Sequence, residues 1–198
     1  MSVSTISLIE LNPEKVSEAA GAKTVAFFCH RLPVRVDHAV IEELKLISNQ
    51  RGKVNVRICL HDDPSANHHD MIALERRGRY YRPHKHARKG DTFHLLEGKL
   101  GILAFDDSGT VTDAVVLLPG EIYRTAVNTY HAILPLSEFV IHHENKPGPF
   151  EGSNDSIFPD WAPDGENQNI VDEYVVVPLQ KGIEKNNLLI MIHLKKIL

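Results

Sequence analysis

Between residues 54 and 143 the chain is cut into short apolar or alternating runs, each the length of one strand, separated by Gly, Pro, Asp and Asn. Val54-Asn55-Val56-Arg57-Ile58 alternates with a period of two, and Met71-Ile72-Ala73-Leu74 is a brief apolar run. Residues 93–96 and 100–105 flank Gly98. Residues 111–118 follow the turn sequence Asp106-Asp107-Ser108-Gly109. Pro119-Gly120 leads into 121–127, and the runs 131–134 and 139–143 complete the series. Runs of this length and punctuation favour antiparallel sheets packed as a sandwich or closed as a barrel.

The flanks read differently. Asn12-Pro13-Glu14 has the form of a helix start that Gly21 ends. Asp37 is a second N-cap candidate, and Val40, Ile41, Leu44 and Ile47 share one helical face before Asn49 to Gly52 stop it. Residues 146–168 carry Pro147, Gly148, Pro149, Pro159, Pro163 and Gly165, the mark of an irregular arm, with Phe150, Phe158 and Trp161 to tack it down. The expected division is an N-terminal extension with two short helices (1–52), a β-barrel with its closing arm (53–168) and an apolar tail (169–198) that packs on the barrel or on a partner subunit.

With 198 residues, 42% apolar and 24% charged, the chain suffices for one domain with a sizeable core. A formal net charge of -4 gives no attraction to nucleic acid or to an anionic membrane. No apolar run is long enough to span a bilayer, and the first residues lack a basic stretch followed by an apolar one. A cytoplasmic protein is expected, with Cys29 and Cys59, which have no CxxC spacing, as buried reduced thiols.

Twelve histidines require an account. His84 and His86, at i and i+2 on an extended segment, face the same way. Asp91 lies a few residues on, and His131 supplies a third imidazole. Three imidazoles and a carboxylate suit a divalent transition metal, whether Zn, Fe, Mn or Ni. Tyr80 and Arg82 share strand parity with the histidine pair and are expected in the same cavity, Tyr80 to move a proton and Arg82 to bind substrate. Lys146 is expected in a loop folded over the mouth, as a second substrate-binding residue. Of the adjacent His142 and His143, alternation sends one inward. The sequence does not choose between them, and His143 is the candidate acid–base group. His94 has parity opposite to Asp91 and is expected to face away. His68 and His69 read as surface or rim residues, His61 as a residue near the mouth, and His30, His38 and His193 as ordinary. No nucleophile elbow, phosphate loop, HExxH or paired CxxC is present.

The spacing of Pro83-His84-Lys85-His86, Asp91 and Gly98 resembles the first cupin motif, HxH, four residues, Glu, six residues, Gly. The stretch Tyr123-Arg124-Thr125-Ala126-Val127-Asn128-Thr129-Tyr130-His131 resembles the second, whose core is PxGxxH. The ensemble is similar to WbuC family cupin fold metalloproteins, with support from Leu60-His61, Lys146-Pro147-Gly148-Pro149-Phe150 and Trp161-Ala162-Pro163. The likeness covers about residues 37–165. Asp91 stands where cupins usually have Glu, one methylene shorter, and Ala126 and Asn128 replace the proline and glycine of the second motif. Asn tolerates the left-handed backbone such a turn needs.

The resemblance implies an all-β dominated, cupin-type antiparallel β-barrel (a double-stranded β-helix or jelly roll) with a short helical N-terminal segment. It also implies a homodimer and a role in surface-polysaccharide biosynthesis. The leading expectation is a metal-dependent enzyme of isomerase, epimerase or lyase type acting on a small polar substrate, a sugar or nucleotide-sugar. A non-catalytic, metal-braced ligand-binding module is the alternative, and an iron-dependent dioxygenase the second.

Overall fold

The apolar stripe of Val40, Ile41, Leu44 and Ile47 sets the position of the only helix among the described residues. The computed structural model describes residues 15–22, 24–30 and 34–165. In chain order its elements are β1 (Val16–Glu18), β2 (Val25–Cys29), α1 (His38–Gln50), β3 (Val56–Cys59), β4 (His68–Arg76), β5 (Thr92–Glu97), β6 (Leu100–Phe105), β7 (Val111–Leu117), β8 (Ile122–Arg124), β9 (Tyr130–Pro135) and β10 (Phe139–Pro147), followed by a 3-10 turn at Gly152–Asn154. Asp37 caps α1, its Oδ1 accepting from the Ala39 and Val40 amides at 3.1 and 3.4 Å.

The strands form a seven-stranded sheet in the order β1-β2-β3-β4-β10-β5-β8 and a three-stranded sheet in the order β7-β6-β9. All pairings are antiparallel except β2 with β3, which α1 connects. Period two then divides each strand of the large sheet between two faces. Val56, Ile58, Ile72, Leu74 and Ile141 pack on Leu44 and Ile47 of the helix. Phe93, Leu95 and Val140 point the other way and meet Leu100, Ile102 and Leu117 of the small sheet. Each such side chain contributes about 1.5–3 kcal/mol relative to full exposure. The result is a two-sheet, strand-dominated sandwich, as expected, with α1 on its outer side.

Two expectations about the flanks change. The described part of the first predicted helix is a strand, since Val16–Glu18 pairs with β2 and extends the large sheet. Among its described residues the N-terminal region therefore continues the sheet and adds one α-helix. The tail 169–198 lies outside the described residues. The arm after β10 is irregular as read, but Phe150 and Phe158 are exposed. Trp161 alone of the three aromatics packs inward, on Phe105 and Tyr130, and donates to the Asp107 carbonyl.

Two turns fix the site's framework. Gly98 turns β5 into β6 at φ +91°, and a Cβ there would stand 2.6 Å from the Phe139 carbonyl oxygen, so only glycine fits. Asn128 takes φ +58°, the left-handed turn expected where the glycine of the second motif is missing.

Candidate metal centre

His84 and His86 lie on an extended segment that binds β9 by one bridge, His84 opposite His131. That bridge brings the third imidazole beside the first two. Asp91 enters from the start of β5. One ligand atom from each of His84, His86, Asp91 and His131 lies within 4.8 Å of every other. Bonds of about 2.0–2.2 Å to one ion need donors no more than about 4.4 Å apart, so a small contraction suffices. The shorter carboxylate reaches: Asp91 Oδ2 is 3.0 Å from His131 Nε2 and 3.2 Å from His86 Nε2.

The hydrogen bonds decide the protonation. His84 Nδ1 lies 3.1 Å from the Arg82 carbonyl, His131 Nδ1 lies 3.0 Å from the Thr129 carbonyl, and His86 Nδ1 meets the Asp155 carbonyl. A carbonyl only accepts, so in each ring Nδ1 carries the hydrogen. A neutral ring then presents a bare Nε2. Bare Nε2 atoms facing a carboxylate at 3.0–3.2 Å repel unless positive charge lies between them. His86 Nε2 and Asp91 Oδ1 are fully enclosed and lack a hydrogen-bond partner. Carbonyls on Nδ1 with Nε2 turned to one point are the outer-shell pattern of metal-ligating histidines, so the residues fit a divalent ion.

Electrostatics agree at His84 and Asp91, whereas at His86 the carboxylate favours a proton on the ring when no ion lies between them. Burial, reinforced by neighbouring His131, pushes His84 down to about 4, which leaves it neutral and able to ligate. For Asp91, burial works against ionisation, but His131, His86 and Lys146 outweigh it and hold the carboxyl well below its ordinary range. For His86, burial is likewise overcome by Asp91, and its pKa rises.

The remaining predicted residues are placed as follows. Lys146 is on β10 and not in a loop; its Nζ lies 2.9 Å from Glu144 Oε1 and 3.8 Å from Asp91 Oδ1. Arg82 Nη2 donates to the carbonyls of Pro159 and Ala162, and the guanidinium lies over the Phe158 ring, so it ties down the arm. Tyr80 donates to the Pro163 carbonyl at 2.9 Å. His143 faces outward and pairs with Asp70 at 2.9 Å, while His142 is the inward histidine, completely buried. A register shift between Ile141 and His142 in the β10–β5 pairing adjoins this choice. His69, expected at the rim, is buried and stacked on His61 at 4.4 Å. His94 lies opposite His143 and away from Asp91, as expected. Cys29 and Cys59 are buried and unbridged.

A family model described as a domain of unknown function, DUF6016, matches residues 36–117, under half of the chain. No curated protein matches. Among solved structures, L-ribose isomerase of Cellulomonas parahominis is similar over 55% of this chain and 70% of its own, at 15% identity and TM-score 0.45. Oxalate decarboxylase of Bacillus subtilis is similar over 53% and 28%, at 14% identity and TM-score 0.44. A cupin superfamily protein of Desulfitobacterium hafniense is similar over 47% and 76%, at 13% identity and TM-score 0.39. The fold is strand-dominated, with a seven-stranded and a three-stranded sheet. No helix among the described residues is long and apolar enough to cross a membrane.

The inner face of the large sheet also holds polar residues that no local motif announced. Arg57, Ala73 and His142 form one cross-strand row, and Cys59, Met71, Glu144 and Phe93 form the next. Glu144 and Lys146 keep 18% and 14% of their side-chain surface, so solvent reaches this end of the face. At its far end Tyr81 donates to Glu75 Oε2 at 2.6 Å, and burial pushes Glu75 up to about 7. A separate groove of about 610 Å³, lined by Ala19, Ala22, Val54 and Arg79 among others, lies away from the metal ligands.

Proposed function

We propose that this protein is a metal-dependent cupin enzyme acting on a small polar substrate, with His84, His86, His131 and Asp91 holding the ion. The observation that carries this reading is the turning of three Nδ1–H groups onto backbone carbonyls, with Nε2 of His86 and His131 at 3.2 and 3.0 Å from Asp91 and His84 in the same cluster. A divalent ion bound there supplies Lewis-acid polarisation of a carbonyl or hydroxyl.

The chain's own groups do the rest. Asp91 offsets part of the ion's charge. Lys146 holds both Asp91 and Glu144, and so fixes the carboxylate at the end of the inner face that solvent reaches. Burial opposes ionisation of Glu144, but Lys146 outweighs it and keeps the carboxylate charged. We assign proton transfer to Glu144, because Tyr80 and His143 are engaged elsewhere. Isomerase, epimerase and lyase chemistry all need that combination.

The motif resemblance to WbuC cupins supports a sugar or nucleotide-sugar of surface-polysaccharide biosynthesis as substrate. On that resemblance alone we expect a homodimer, and the two buried, unbridged cysteines support a cytoplasmic setting. The test is elemental analysis of protein purified without chelator, followed by thermal shift with nucleotide-sugars. One bound transition metal per chain and a substrate-induced shift are expected. No metal, and no shift on adding one, overturns the reading. Bound iron would instead favour the dioxygenase.

The second reading, a metal-braced binding module, draws on the arm. The arm is fastened through Arg82, Tyr80 and Lys89, and its Asp155 carbonyl orients His86. A metal that raises stability while ligands bind without turnover would favour it.

A further inference from the structure

The inner face carries a cation with no ion pair within 4.0 Å among the described residues, although its charge is felt by Glu75. Arg57 lies on β3, on the side that faces the small sheet and not the helix, and its Nε is fully enclosed with no hydrogen-bond partner. No carboxylate of the described residues forms an ion pair with it. The guanidinium lies beside the Cys59 thiol, which burial pushes up to about 11, so the sulfur is neutral and offers no charge in return. Lys146, by contrast, already has Glu144 and Asp91. An enclosed N–H without an acceptor costs about 1–3 kcal/mol, and an arginine fork is shaped for a two-oxygen anion.

A second observation lies in the same row. His142, two strands across from Arg57 and separated from it by Ala73, is completely buried with both ring nitrogens unpartnered. Burial lowers its pKa, so the ring is neutral, with one donor and one acceptor. That pair of vacancies is matched by a hydroxyl group, which donates and accepts. Strands stand about 4.8 Å apart, so the backbones of Arg57 and His142 are separated by about 10 Å with only a methyl between them.

We propose that Arg57 is the anion-binding residue of this barrel, and that the ligand is a small hydroxylated molecule bearing a carboxylate or a phosphate. Its anion pairs with Arg57, its middle meets His142, and its other end lies toward Glu144 and the metal ligands. This inference rests on the preceding reading only for what happens at that last end.

The experiment is calorimetric titration of the full chain with three matched probes: glucose, glucose 6-phosphate and gluconate. Metal content is measured on the same samples. The phosphate or the carboxylate probe is expected to bind at least about tenfold more tightly than glucose, and which of the two does so identifies the anion. Arg57→Met removes the preference without changing metal content. Arg57→Lys keeps the charge but not the fork and retains part of it. Should Arg57→Met not fold, Arg57→Lys is decisive, since an undiminished preference overturns the proposal. Equal binding of the three probes, or binding of none, also overturns it. A metal-free protein that keeps the preference sinks the metal reading and leaves Arg57 standing. A metal-loaded protein without the preference does the reverse.

Discussion

Lys89 and Asp155 form an ion pair with both side chains buried, and this pair joins the histidine segment to the arm that covers it. Lys89 also donates to the Pro149 carbonyl, and the Asp155 backbone accepts from His86 Nδ1. The arm therefore orients a metal ligand. Lys89→Met removes the cation from the buried Asp155 carboxylate and leaves it the Glu151 amide and the His86 ring. Metal affinity is expected to fall about 10–100-fold, as for other outer-shell changes. Competition with a chromogenic chelator reads it; unchanged affinity would mean that the pair braces only the arm.

Asp91→Asn tests the shortened carboxylate directly. It keeps the shape but removes the charge that faces His86 and His131 at 3.2 and 3.0 Å. Zinc affinity is expected to drop by at least about tenfold, with the three histidines still giving weak binding. Chelator competition at fixed pH measures the change. Wild-type affinity in this variant would show an ion held by histidines alone.

Glu75 gives a pH signature independent of any metal. Its folded pKa of about 7 lies above its ordinary value of 4.5, because burial disfavours the charge. A raised carboxyl stabilises most below the unfolded value and loses that contribution as pH rises through the folded one. The wild type should therefore weaken between about pH 4.5 and 7 relative to Glu75→Gln, by up to about 3 kcal/mol. Urea melts of both proteins across that window check the sign; parallel curves would refute it.

Gly98→Ala meets two obstacles, a positive φ and the Phe139 carbonyl at 2.6 Å from the new Cβ. The backbone term alone costs about 1–2 kcal/mol, so a total loss above about 2 kcal/mol is expected from denaturant unfolding. A loss under about 0.5 kcal/mol would show that the turn rearranges freely.

Local patterns carried the parts of this fold that depend on local physics. The alternation at Val54–Ile58, the Asp37 cap, the Asp106–Gly109 turn and the left-handed Asn128 all stand as read. Val25–Cys29 escaped notice because a continuous apolar run has no period, and its parallel partner lies across a helix. The ligand histidines were legible because HxH spacing on an extended segment is a local rule. Arg57, Glu75 and Glu144 were not, since they come from three separate strands and meet only through register. Lys146 was misplaced because the following proline suggested a loop, whereas β10 ends at that proline.

Ala73 sits between Arg57 and His142 in their cross-strand row, and it is the smallest side chain that still has a Cβ. On the Arg57 proposal, the span between the anion-binding side chain and His142 is thus set at a single codon. Exchange of that methyl for valine or leucine would fill the gap between those two side chains, leaving the Asp37 cap and the metal ligands as they are.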